Sequence, residues 1–207
     1  MKKYIVLLVF LFSAMSSYAI IPPNPDMCLD CDSTPWTTGT LTFTYNYIDD
    51  DSNPASCVIS VGYGYRFCNG AVDTYINRLF VPASSCYTEV RNLPGFYERC
   101  ENELTLKLSI LLNLPSSNGS SYAFNHWRPG SCNYICWKID NVQQMMVGEI
   151  RSCSQNYYCC VEQIIANKDE NGLLLTDYQP AQYEACDDYP DNHFDCDYAS
   201  DCIIECR

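Results

Sequence analysis

Cysteine is the residue type with the most chemical potential in this chain, which contains fifteen of them. Thiolates bind zinc or act as nucleophiles in reducing compartments, whereas cysteines of exported proteins form disulfides. Cys28 and Cys31 have the C-x-x-C spacing of a zinc or redox motif, but no second C-x-x-C follows and the chain has only two histidines. We therefore interpret this pair as structural, with zinc and redox roles as the alternatives. Because the number of cysteines is odd, we expect one of them to be unpaired. The predicted disulfide framework comprises Cys28, Cys31, Cys57, Cys68, Cys86, Cys100, Cys132, Cys136, Cys153, Cys159, Cys160, Cys186, Cys196, Cys202 and Cys206.

The amino terminus predicts the oxidising compartment that disulfides need. Lys2 and Lys3 precede an apolar run over residues 4–12, and a small-x-small cleavage pattern ends at Ala19. The run is too short to span a bilayer. We interpret residues 1–19 as a secretory signal peptide. The expected location is extracellular or at the cell surface, without membrane insertion.

The two histidines are the next candidates for chemistry. His193 lies between Asp191 and Asp195, and a base oriented by a carboxylate is half of a nucleophilic hydrolase site. No G-x-S-x-G elbow supplies the nucleophile. His126 has no acidic residue near it in the sequence. We interpret both histidines as solvated and the protein as non-enzymatic, with a small hydrolase using His193 as the least favoured alternative.

Two acidic turns have the opening spacing of a calcium loop. Calcium prefers six to eight oxygen ligands, and closely spaced Asp and Asn residues provide them. Neither turn has a glutamate at the twelfth position, where Ser60 and Tyr178 stand. An ordinary solvated hairpin turn is therefore the alternative, and no other cofactor is predicted. The candidate ligands are Asp49, Asp51, Asn53, Asn167, Asp169 and Asn171.

Net charge restricts the classes of partner. The chain has a formal net charge of −13 at pH 7, which opposes binding to nucleic acid phosphates and to anionic lipid. Its seventeen tyrosines offer rigid contact area for a protein or a carbohydrate, or else serve as half-buried cover for a sheet. We predict a protein partner or self-association, with carbohydrate as the alternative ligand.

The sequence patterns around the candidate residues are mainly those of β-strands and turns. Residues 39–49 alternate apolar and polar side chains like a half-buried strand. Asn69-Gly70 is the strongest signal for a two-residue hairpin turn. Cys57 and Cys68 lie on the strand before this turn, where their side chains would point to opposite faces and could not bond each other. The expected cross-strand pairs are Arg66–Asp73, Phe67–Val72, Gly64–Tyr75, Tyr63–Ile76 and Ile59–Phe80.

The second half of the chain shows further hairpins after one ambiguous segment. Cys100, Leu104, Leu108 and Leu111 fit one helical face within residues 94–113, although part of the run also alternates like a strand. Length and glutamate content favour the helix. Two hairpins are then predicted, one from residue 132 to residue 153 and the other around the NKDENG turn.

We accordingly predict a disulfide-rich α+β fold, mainly antiparallel β-hairpins with one helix near residues 94–113. The predicted organisation is a signal peptide (1–19), an N-terminal Cys-rich subdomain (20–114), a linker-like loop (115–131) and a C-terminal Cys-rich hairpin subdomain with an acidic tail (132–207).

The hairpin "CVISVGYGYRFCNG", a later helix ending "LLNLP", and the CW and CC pairs at 136–137 and 159–160 resemble those of exported cysteine-rich bacterial proteins. This resemblance implies a bacterial source and no particular activity. The predicted function is a secreted, disulfide-stapled structural or interaction protein, as a subunit of an extracellular assembly or an adhesin-like binder. A calcium-stabilised carbohydrate- or protein-binding module is the alternative.

Overall fold

Twelve regular elements lie within the part of the chain that the structure, a computed structural model, describes: residues 34–48, 52–91, 95–128, 132–152, 160–178, 195–200 and 204–205. The strands are β1 (Thr37–Ile48), β2 (Pro54–Cys68), β3 (Ala71–Pro82), β4 (Ser121–Arg128), β5 (Cys132–Asp140), β6 (Met145–Ser152), β7 (Cys160–Asp169), β8 (Gly172–Tyr178), β9 (Tyr198–Ala199) and β10 (Ile204–Glu205). The helices are α1 (Ser85–Val90) and α2 (Phe96–Leu112).

The strands form one sheet that branches at β3. One edge of β3 pairs with β2, which pairs with β1. The other edge is shared, because Val72–Tyr75 pairs in parallel with β4 while Leu79–Pro82 pairs antiparallel with β6. One branch continues through β4 to β7 and β8, and the other through β6 to β5, which also pairs with β9 and β10. The predicted antiparallel hairpins are present, but the sheet is mixed and extensive rather than a simple α+β arrangement of hairpins.

The β2–β3 hairpin confirms most of the predicted register. Asn69 and Gly70 both have positive φ, 47° and 83°, as a type I′ turn requires. The predicted pairs of residues 63–67 with residues 72–76 are all present. The predicted Ile59–Phe80 pair is wrong, because a bulge between Gly62 and Tyr63 shifts the register and Ser60 faces Phe80 instead. A local irregularity of one residue moves every pair beyond it.

Helix α2 confirms the helical interpretation of the leucine-rich segment. Cys100, Leu104 and Leu108 are fully buried at helical spacing, whereas Leu111, the fourth residue of the predicted face, is 57 % exposed. The helix ends at Asn113, which adopts the left-handed conformation (φ 52°) typical of a helix terminus.

Both helices pack on the same face of the sheet, called here the inner face. Tyr45 of β1 contacts Phe96 of α2 edge-on at 5.9 Å, and Cys57 of β2 is disulfide-bonded to Cys86 of α1. The prediction of a single helix therefore missed α1, a six-residue element held by that disulfide and begun by a hydrogen bond from Cys86 N to Ser84 Oγ. Neither helix of the described chain has the length and apolar character that crossing a membrane would require.

Strand β4 lies within the segment predicted to be a linker-like loop. Residues 121–128 pair with β7 on one side and residues 124–127 pair with β3 on the other, so the loop prediction is wrong over residues 121–128. The sequence is polar, but Phe124, His126 and Arg128 alternate toward the inner face and are 0–1 % exposed. The sheet thus connects strands from both predicted subdomains through β3.

Candidate functional site

The predicted calcium ligands are only partly within the described chain. Asp49 and Asp51 lie outside it, and Asn53 is exposed. In the second turn, Asp169 Oδ1 accepts hydrogen bonds from the backbone N–H groups of Asn171 (2.7 Å) and Gly172 (2.9 Å), and Asn167 Nδ2 donates to Thr176 Oγ1 (3.2 Å). These bonds are those of an ordinary β-turn, and calcium binding remains a prediction.

The cysteines of the described chain include two complete disulfides. Cys57 bonds Cys86 across 29 residues, and Cys136 bonds Cys196 across 60 residues. Cys68 is also disulfide-bonded, and not to Cys57, as the strand geometry predicted. The predicted disulfide positions Cys28, Cys31, Cys153, Cys159, Cys186, Cys202 and Cys206 lie outside the described residues, and so do the side chains of Cys132 and Cys160.

Cys100 is the free thiol of the described part of the chain. It is fully buried on α2, and this burial, reinforced by neighbouring Glu101, raises the pKa of the thiol far above its usual value. A protonated, inaccessible thiol is a poor nucleophile. Cys100 therefore has the geometry of a buried free thiol and not of a bridge between chains.

His126 is buried, so its prediction as a solvated histidine is wrong. It is 1 % exposed on the inner face, with Nδ1 2.9 Å from Thr74 Oγ1 and Nε2 2.7 Å from Thr105 Oγ1. The two threonines come from β3 and α2, so the imidazole connects sheet and helix. His193 lies outside the described residues.

A buried ionic cluster adjoins His126 between α2 and the sheet. Arg128 contacts both carboxylate oxygens of Glu101 on α2 and reaches Glu162 of β7 at 2.5 Å, and its guanidinium lies 5.2 Å from the Tyr97 ring centre. Burial opposes the charge of Arg128, but the two carboxylates outweigh it, so the pKa rises above its usual range. The Arg128 guanidinium therefore keeps its charge in the folded protein, and its contacts with Glu101 and Glu162 orient α2 on the sheet.

The opposite face of the sheet, called here the outer face, carries a row of polar side chains across four strands. Arg66, Asp73, Asn125 and Gln163 occupy matching register positions on β2, β3, β4 and β7. Gln163 donates to Asn125 (2.9 Å), and both Asn125 (3.0 Å) and Arg66 (3.3 Å) donate to Asp73. We call these four residues the polar row.

Aromatic side chains flank the polar row. Trp36 packs edge-on against Tyr75 at 4.8 Å and lies over the Arg66 guanidinium at 4.5 Å, and Trp127 is paired with Tyr75 in the register. Trp36, Asn125 and Gln163 are half-buried, whereas the other members are nearly inaccessible. Hydrogen-bonding side chains beside aromatic rings are the combination that sugars and peptides bind.

A second outer-face cluster holds the acidic carboxyl-terminal segment to β5. Asp195 accepts from Arg151 (2.7 and 3.0 Å) and from Lys138 (3.2 Å) beside the Cys136–Cys196 disulfide. These hydrogen bonds, that of Arg151 foremost, lower the pKa of Asp195 below its usual value. Because the two sulfurs are bonded to each other, they are not available as thiolate ligands for a metal.

The β1–β2 pair forms a ribbon without charged residues at the border of the sheet. Residues 37–48 and their partners 54–65 include none of the chain's 12 basic and 25 acidic residues. We call these 24 residues the charge-free ribbon. Its outer face presents exposed small polar side chains, among them Thr38, Thr40, Thr42, Thr44, Asn46 and Ser56.

No family model matches the chain, and no curated protein or solved structure is significantly similar to it.

The sequence did not predict most of the side-chain clusters described above. The Arg66–Asp73 pair was predicted from the hairpin register, but Asn125, Gln163 and Trp127 join it only through the pairing of β4. A pattern of alternating residues at 124–128 was the one available signal for that strand.

Proposed function

We propose that this protein is a secreted, disulfide-stapled and non-enzymatic structural or interaction protein that works as a subunit of an extracellular or cell-surface assembly. The observation that carries the proposal is the charge-free ribbon. A chain with a net charge of −13 repels copies of itself, and a regular 12-residue strand without charge at the sheet border offers a surface where that repulsion is weakest.

The buried polar groups support a structural role. His126, Glu101 and Glu162 are groups suited to acid–base chemistry among the described residues, and they and their partner Arg128 are all at most 6 % exposed. Their polar atoms bind one another or the threonine hydroxyls of neighbouring elements. Groups arranged in this way stabilise a helix on a sheet and do not reach a substrate in solution.

Native mass spectrometry combined with non-reducing gels tests this proposal on secreted, oxidised protein. We expect a multimer in the native spectrum. The buried Cys100 does not provide a link between chains, and the denaturing, non-reducing gel shows whether another cysteine does. A monomer that persists at high protein concentration would contradict the structural proposal.

The polar row favours a second candidate function, that of a carbohydrate-binding module. A sugar would stack on Trp36 and bind the amides of Asn125 and Gln163, which are the half-buried members of the set. Co-sedimentation with insoluble cellulose and chitin tests this candidate. We expect Trp36→Ala to abolish retention and Thr176→Ala, on exposed β8, to leave it unchanged; absence of retention of the natural protein contradicts it.

A further inference from the structure

Strand β1 lies at an edge of the sheet within the described structure. All twelve of its residues pair with β2 in one unbroken register. No other strand of the described chain pairs with β1. A strand of this length in such a position presents N–H and C=O groups for pairing along about 40 Å of its other side.

The edge of β1 lacks the features that normally protect edge strands. Proteins protect such edges with charged residues, prolines, bulges or very short strands. Strand β1 has none of these, as its sequence TTGTLTFTYNYI and its regular register show. By contrast, β9 and β10 have two residues each, and the seven-residue β8 contains Asp177. Among the sheet edges of the described chain, that of β1 is therefore the longest and has the fewest protective features.

We propose that β1 pairs antiparallel with β1 of a second copy, forming a two-fold symmetric dimer with a continuous sheet. This inference rests on the proposed structural function and specifies its interface. Charge favours a second copy as the occupant: each copy is strongly acidic, so two copies approach most easily through ribbons without charge.

The sequence of β1 is self-complementary in one antiparallel register. If Phe43 faces Phe43 of the second copy, Thr42 faces Thr44 on the outer face and Leu41 faces Tyr45 on the inner face. Threonine–threonine and aliphatic–aromatic cross-strand pairs are both favourable. In this register residues 38–48 of the two copies pair, eleven from each copy, and would bury about 800 Å² in total, which is typical of a weak and concentration-dependent interface.

Charge reversal across β1 tests the interface. Thr42→Lys/Thr44→Lys places two positive charges on the exposed outer face of the edge, and Thr42→Glu/Thr44→Glu places two negative ones there. Each variant should remain monomeric at concentrations where the natural protein dimerises, as measured by sedimentation velocity. An equimolar mixture of the two variants should dimerise again, because each lysine introduced into one copy then faces a glutamate introduced into the other.

Leu174→Lys/Thr176→Lys is the matched control, since it adds the same charge to exposed positions of the other long edge strand, β8. We expect this variant to dimerise like the natural protein. A natural protein that is monomeric overturns both this inference and the structural function. A dimer or filament that survives the β1 substitutions, or that the β8 substitutions disrupt, overturns this inference and leaves the structural function standing.

Discussion

Cys100 is the residue that shows a free thiol within the described part of the chain. Its thiol is fully buried between α2 and the inner face, and its pKa is raised by burial. We expect iodoacetamide at pH 8 to leave the Cys100 peptide unlabelled in the native protein and to label it after denaturation without reductant. Peptide mass spectrometry measures both states.

An introduced cysteine on the same helix provides the control for this experiment. Ile110 is 71 % exposed, so Ile110→Cys should be labelled in the native protein within the time that Cys100 is not. Rapid native labelling of Cys100 would contradict the buried position assigned to it and would restore the idea of a bridge between chains.

Arg128 is the residue whose loss should cost the most stability. Arg128→Met leaves the carboxylates of Glu101 and Glu162 buried without their counter-ion, and removing one partner of a buried ion pair typically costs about 3–5 kcal/mol. Urea denaturation measures the free energy of unfolding. The control is Arg99→Met, which breaks an exposed pair with Glu103 on the same helix and should cost less than about 0.5 kcal/mol. Equal losses in the two variants would contradict a structural role for the buried cluster.

At the scale of elements, residues 195–200, which include the short strand β9, are attached to β5 by covalent and ionic contacts. The Cys136–Cys196 disulfide closes a 60-residue separation, which in the chain-entropy model stabilises the folded state by about 4 kcal/mol. Backbone N–H groups of Asp197 and Ser200 donate to Trp137 and Ile135 of β5. The segment covers an edge that would otherwise be open.

The ionic part of this attachment predicts a pH dependence. Because the folded-state pKa of Asp195 is lowered, its contribution is complete above the unfolded value near 4 and is lost as pH falls through the folded value. In the Cys136→Ser/Cys196→Ser background, hydrogen exchange at the Asp197 and Ser200 amides, corrected for intrinsic rates, should accelerate as pH falls below about 4.

Asp195→Asn in that background should accelerate the same exchange already at pH 7 and weaken its acid dependence. Glu103→Gln, which affects only the exposed pair with Arg99 on α2, is the control and should leave these amides unchanged. Exchange that is indifferent to Asp195 would show that the strand pairing holds the segment without the ion pairs.

At the scale of the whole molecule, acidity makes calcium the ligand to test. The calcium alternative predicts that 1 mM CaCl₂ raises the melting midpoint by about 1–5 °C over EDTA, for a site of 10⁻⁴–10⁻³ M affinity. Asp51→Asn/Asp169→Asn should remove the shift, because both substitutions remove a ligand charge while an asparagine at position 169 keeps the oxygen that accepts the turn hydrogen bonds. A midpoint that is the same in calcium and EDTA contradicts this alternative.

Local patterns predicted much of the fold. The turn at Asn69-Gly70, the strand alternation of β1, the leucine spacing of α2 and the hairpins β5–β6 and β7–β8 are all present near their predicted bounds. The bulge at Gly62, the short helix α1 and strand β4 were missed. Each of these depends on contacts with residues distant in sequence, such as the Cys57–Cys86 disulfide and the pairing of β4 with β3 and β7.

The sequence by itself determined the disulfide-rich class, the main hairpins and the excess of negative charge, because cysteine number, alternation and composition are local properties. Only the tertiary structure decided the branching of the sheet at β3, the burial of His126 and the assembly of the polar row and the ionic cluster. The physical reason is that a parallel contact such as β3–β4 joins residues about fifty positions apart, and no short pattern encodes it. The same contact places Thr74 beside His126, so a histidine that the sequence predicts to be solvated becomes part of the core.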